Sequence, residues 1–141
     1  MTIKSYTDLE QSNKLAEILP IESADMCYEV GEDLDGYITK TIYTPLMHTP
    51  YNDDYIPCWS FAALLAILPN EIITDNRFEC HYQIDIRKYD GGDNTTLYQI
   101  AYGNNRGSSG SWHDMINTGE KENLVDCCVQ MILKLHEFKM L

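Results

Sequence analysis

The stretch RFECHYQIDIRKY, residues 77–89, constrains the fold more than any other part of the chain. Phe78, Cys80, Tyr82, Ile84 and Ile86 alternate with Glu79, His81, Gln83, Asp85 and Arg87. Successive side chains of a strand point to opposite faces, so a period of two gives one apolar face and one wet face. Such a strand belongs to an antiparallel sheet with one side packed and the other solvated. DGGDN (Asp90 to Asn94) then turns the chain, and Thr95 to Tyr102 supplies the return strand. GNNRGSSGS (Gly103 to Ser111) has loop composition, and Trp112 to Ile116 suits a short edge strand or a turn.

The remaining periodicities place helices around these strands. Thr7 and Glu10 have capping-box spacing ahead of a helix over 7–19 that Pro20 ends. Two strands follow, Asp25 to Val30 and Gly36 to Thr44, joined by the Gly- and Asp-rich GEDLDG. Pro45 to Pro57 holds three prolines and no period, as expected of a long surface loop. The run from Pro57 or Cys58 to Leu68 is apolar nearly all round, which predicts a helix buried on several sides. In the last helix, Asn123 to about Lys139, Asn123 and Asp126 suit an N-terminal cap, and Leu124, Val125, Cys128, Val129, Ile132 and Leu135 share one face. The order α-β-β-α-β-β-(β)-α predicts an α+β domain. An antiparallel or mixed sheet of about four to five strands would pack with three helices. A length of 141 residues suits a single domain over 1–141.

Charge narrows the function classes. Twenty-two acids face ten bases, a net charge of −12, and residues 1–57 carry −8 of it. Nucleic-acid affinity comes largely from Lys and Arg neutralising phosphate, so direct basic contact with nucleic acid is not expected. An acidic surface suits a basic protein partner, imitation of nucleic acid, or simple solubility. Five cysteines and an N-terminus without an apolar stretch point to free thiols in a reducing cytoplasm. No apolar run approaches the ~20 residues of a membrane span.

Two site hypotheses arise from the residues. In the first, Cys58 opens the apolar helix in the sequence Cys58-Trp59-Ser60-Phe61, which resembles the nucleophile segment of papain-like cysteine proteases. A helix N-terminus favours thiolate, and a base would be His113 or, less well placed on the polar face of its strand, His81. The resemblance spans about five residues. The Gln-Gly that precedes the family's motif is replaced by Tyr55-Ile56-Pro57. A buried structural Cys58 fits the same pattern. In the second, the chain is a non-enzymatic accessory protein that contacts another protein through an acidic, Tyr-rich surface, with Tyr51, Asp53, Asp54 and Tyr55 in the contact loop. No Cys-x-x-Cys occurs, so neither a metal site nor a cofactor is expected. The Gly-rich loop lacks the Gly-Lys-Ser/Thr of a phosphate-binding loop.

WSFAALLAILPNEI (Trp59 to Ile72) and NLVDCCVQMILKL (Asn123 to Leu135) resemble segments of an uncharacterised family of small proteins from gut bacteria and their phages or mobile elements. The resemblance implies a bacterial or phage setting and supplies no activity.

Overall fold

The computed structural model describes residues 3–29, 41–43, 55–74, 79–106 and 110–141. The fold is α+β, with two antiparallel sheets. The helices are α1 (Leu9–Ala16), α2 (Phe61–Ile67) and α3 (Leu124–Glu137). The strands are β1 (Met26–Glu29), β2 (Thr41–Tyr43), β3 (Tyr55–Cys58), β4 (Glu71–Thr74), β5 (Cys80–Asp90), β6 (Thr96–Arg106) and β7 (Ser111–Asn117). The chain divides into two compact units, Met1–Ile67 and Leu68–Leu141.

The first unit holds the three-stranded sheet, ordered β2-β1-β3. Its helix α1 is capped by Asp8, not by Thr7. The Asp8 carboxylate accepts from the Gln11 backbone N–H, and the Gln11 side chain accepts from the Asp8 N–H. One residue's difference in the cap releases Thr7 for another task. Thr7 is fully buried, and its hydroxyl accepts from the Trp59 N–H at 3.1 Å and lies 2.7 Å from the Ser12 hydroxyl. Its backbone N–H donates to the Trp59 carbonyl, and its carbonyl accepts from the Tyr28 hydroxyl at 2.6 Å. Thr7 thus satisfies polar groups from α1, β1 and the segment after β3, all removed from water.

Pro57 and Cys58 differ from expectation. They end strand β3, where Met26 faces Cys58 and Cys27 faces Pro57. The helix starts only at Phe61, where the Ser60 hydroxyl accepts from the Ala63 N–H. Ser60 is itself held by Asp25 through its backbone N–H and its hydroxyl. The helix is not buried on every side: Ala62 and Ala66 are exposed, and only Leu64 is fully enclosed. Apolarity all round here reflects alanines, which cost little in water.

In the second unit the sheet runs β4-β5-β6-β7, each pair antiparallel. β6 continues through Arg106, past the point where Gly and Asn composition suggests a loop, because β7 pairs with Asn104, Asn105 and Arg106 after the β5 ladder has ended at Gly103. β4 was not signalled by the sequence; four residues leave too short a pattern. Helix α3 packs on β6, burying Val125, Cys128, Val129, Ile132 and Leu135. Asn123 caps it as the sequence predicts. The Cys127 thiol reaches the Tyr98 carbonyl at 3.3 Å. Ile100 and Tyr102 are fully buried on the helix side. Their cross-strand partners Ile86 and Ile84 share that face. The opposite face carries Gln83, Asp85, Arg87 and Tyr89 with Gln99 and Gly103.

Replacing Thr7 by Val keeps its volume and removes its hydroxyl, leaving the Trp59 N–H and the Ser12 hydroxyl short of a partner. Thr7→Val is expected to cost about 2 kcal/mol or more, and Thr7→Ser, which keeps the oxygen, less. Urea unfolding of both variants measures the difference; equal losses would show that the methyl and not the hydroxyl matters.

Candidate functional site

The polar face of the four-stranded sheet carries the most developed side-chain array among the described residues. Arg87 of β5 stands at its centre. Its Nε donates to Asp85 Oδ2 at 2.7 Å, and one terminal nitrogen donates to Asp114 Oδ2 at 3.0 Å and to Gln99 Oε1 at 3.2 Å. The other terminal nitrogen donates to Asp114 Oδ1. The pair with Asp114 is therefore two-pronged, the strongest form of such a contact. Gln99 lies on the intervening strand and also accepts from the Tyr89 hydroxyl at 2.9 Å. Arg87 beside Asp114 holds that carboxyl below the usual carboxylate range. The two acids in turn push the guanidinium's pKa up.

Trp112 completes the array. Its indole N–H donates to Asp114 Oδ1 at 2.7 Å. The same edge of the ring lies close over Gly103. A Cβ on Gly103 would stand 2.8 Å from Trp112 Cε2 and Nε1 and 2.3 Å from the His113 carbonyl oxygen. Glycine in a strand interior commonly marks such a close approach. The β6–β7 register shifts between Tyr102 and Gly103, and this bulge sets Trp112 and Asp114 on the polar face. Trp112 remains 37% exposed, whereas Trp59 is 0% exposed. Toward β4 the face continues through exposed Gln83, His81 and Ile73, with His81 Nδ1 2.6 Å from Glu71 Oε1.

Cys58 sits in a different setting. It is fully buried, and its Sγ lies 3.5 Å from both the Thr7 hydroxyl and the Thr7 carbonyl. Burial pushes its thiol pKa up, against the opposing effect of hydrogen bonds from Thr7, Ser12 and Tyr28. Ending a strand, it has no helix N-terminus to favour thiolate. The bonds of its sulfur run to Thr7, while His81 engages Glu71 and His113 lies exposed on β7. His113 and Asp114, as neighbours on a strand, point to opposite faces. Asp114 answers to Arg87 instead.

Tyr51, Asp53 and Asp54 of the expected contact loop, and His48 beside them, lie outside the described residues. Tyr55 is a half-buried residue of β3. Of the other tyrosines, Tyr102 belongs to the core, where burial raises its pKa, and Tyr89 lies on the polar face. Among the described residues, no group of three or more His, Cys, Asp or Glu side chains is placed to hold a metal ion. No described helix is long and apolar enough to cross a membrane. Two open clefts of about 410 and 480 Å³ lie beside the β5–β6 turn and between β7 and the end of α3. Neither is lined by Cys58.

Four of the five cysteines are buried, and Cys80 is partly exposed. Burial pushes the Cys128 thiol up to about 12 and raises Cys127 as well. Alkylation of the native protein by iodoacetamide at pH 8, read by peptide mass, should therefore label Cys80 first and leave Cys58 protected until unfolding. Fast native labelling of Cys58 would contradict this placement.

No protein-family model, no curated protein and no solved structure matches the chain.

Proposed function

We propose that this is a non-enzymatic accessory protein that works by contact with another protein, through the polar face of the β4–β7 sheet. The observation that carries this reading is the array in which Arg87, Gln99, Asp114 and Trp112 hold one another in place across the three strands β5, β6 and β7. Trp, Tyr and Arg are the side chains most often responsible for protein-contact energy. Here they are ordered before any partner arrives, so little conformational entropy remains to be lost on binding.

The dimensions suit the larger part of a contact surface. Strands of 4, 11, 11 and 7 residues, at about 3.4 Å per residue and about 4.8 Å apart, span an area on the order of 500 Å². A standard interface takes about 800 Å² from each partner.

Charge supports a basic partner. Among the described residues the face carries Glu71, Asp85 and Asp114 around the guanidinium of Arg87, on a chain of net charge −12. A field of that sign steers a cationic surface toward it. The resemblance of Trp59–Ile72 and Asn123–Leu135 to small bacterial and phage proteins fits an accessory role in such a cell. The cysteine-hydrolase alternative, with Cys58 and His113 or His81, gains no support from a thiol that is buried and raised in pKa.

Gln83 is exposed on the face, and Glu17 is exposed at the C-cap of α1 in the other unit. Gln83→Lys and Glu17→Gln each change the charge by the same single step. Affinity capture from a bacterial lysate should retain a set of basic proteins on the wild type and on Glu17→Gln, and lose them on Gln83→Lys. Equal capture by all three would remove the face from the contact.

A further inference from the structure

Resting on the contact-surface reading, we infer that Trp112 is a docking platform for an arginine side chain carried by the basic partner. The Nε1–Cε2 edge of the indole lies against Gly103 and its N–H is held by Asp114, yet the residue keeps 37% of its surface exposed. An exposed indole face attracts cations through the ring's electron distribution, and Trp does so better than Tyr or Phe.

Three features select a guanidinium from among the groups that stack on indole. First, the surroundings are negative. Asp114 lies against the ring's own N–H, Asp85 is the next carboxylate in the array, and the chain as a whole is strongly acidic. An anion or a second carboxylate-bearing surface is repelled there. Second, the resident cation is already engaged. Arg87 places its donors on Asp85, Gln99 and Asp114, so it is held within the sheet and does not swing over the indole. Third, a planar guanidinium can lie parallel to the ring while its edge donates to oxygens near the ring's rim, a geometry an ammonium lacks. The Asp114 carboxylate stands at that rim through its contact with the indole N–H, and each carboxylate oxygen can accept more than one hydrogen bond. The same sheet displays this chemistry internally on its other face. There the Arg106 guanidinium lies 5.5 Å from the centre of the Tyr82 ring and donates to the Tyr82 hydroxyl.

The test uses the full chain and three peptides of one length, in which Gly alternates with Arg, with Lys, or with citrulline. Citrulline keeps the shape of arginine and removes its charge. Binding is followed by the ¹H–¹⁵N resonance of the Trp112 indole and by tryptophan fluorescence, where the enclosed Trp59 gives the constant background. The Arg peptide should move the Trp112 indole resonance, bind more tightly than the Lys peptide, and exceed the citrulline peptide by at least about tenfold. Trp112→Leu should weaken Arg-peptide binding about fivefold, and Trp112→Phe should fall between. Because the Leu variant changes β7, the resonance map of the unmodified protein stands as an independent readout. Binding that leaves the Trp112 indole unmoved, or that the citrulline peptide matches, would overturn the inference. If that occurs while lysate capture still depends on Gln83, the surface reading survives and only the arginine platform is lost. If Gln83 proves irrelevant too, both fall.

Discussion

The two-pronged bond between Arg87 and Asp114 is the contact on which the polar face depends. It joins β5 to β7 across the strand between them, and Gln99 of β6 closes the gap from below. A lone ion pair at a surface contributes little, because water and salt screen it and two long side chains must be held still. This one differs in being shared. Asp114 also fixes the indole of Trp112, and Arg87 also fixes Asp85, so ordering one side chain orders the rest. The backbone beneath is part of the same device. Without the bulge after Tyr102, Trp112 and Asp114 would face the other way, and without glycine at 103 the indole could not come so close to β6.

The first unit solves a different problem with a different residue. Its N-terminal segment, β1 and the end of β3 bring backbone and hydroxyl groups into a space closed to water. Thr7 answers most of them through both its backbone and its side chain. This is also what decides the character of Cys58. A thiol beside a carbonyl and a hydroxyl, away from solvent, is a core residue with weak hydrogen bonds. The chemistry suggested by the string Cys-Trp-Ser-Phe needs a helix dipole and an open approach, and the strand at Tyr55–Cys58 supplies neither.

How much of this was legible depended on the length of each pattern. The alternation around Tyr82 and the stripe of α3 are long, and both elements form where the sequence places them. The capped start of α3 followed from Asn123 and Asp126 alone. Short elements were not legible. β3 holds a proline and β4 has four residues, so neither offers a period to read, and the cap of α1 shifted by one position because Asp8 competes with Thr7 for the role. The polar face was half visible: the alternation assigns Asp85 and Arg87 to one side. Their partners on β6 and β7 were hidden, since register depends on a bulge that a local pattern does not announce. Asp114 stands next to His113 in the sequence, yet the two point to opposite faces and the partner of Asp114 is Arg87, two strands away.

The central claim is that the Trp112 platform is rigid before any partner binds. ¹⁵N relaxation of the Trp112 indole in the free protein at pH 7 tests it directly. A side chain held by Asp114 and seated on Gly103 should give an order parameter near that of rigid strand backbone, about 0.85. A value below about 0.6 would mean that the indole moves freely. The array would then be no prepared surface.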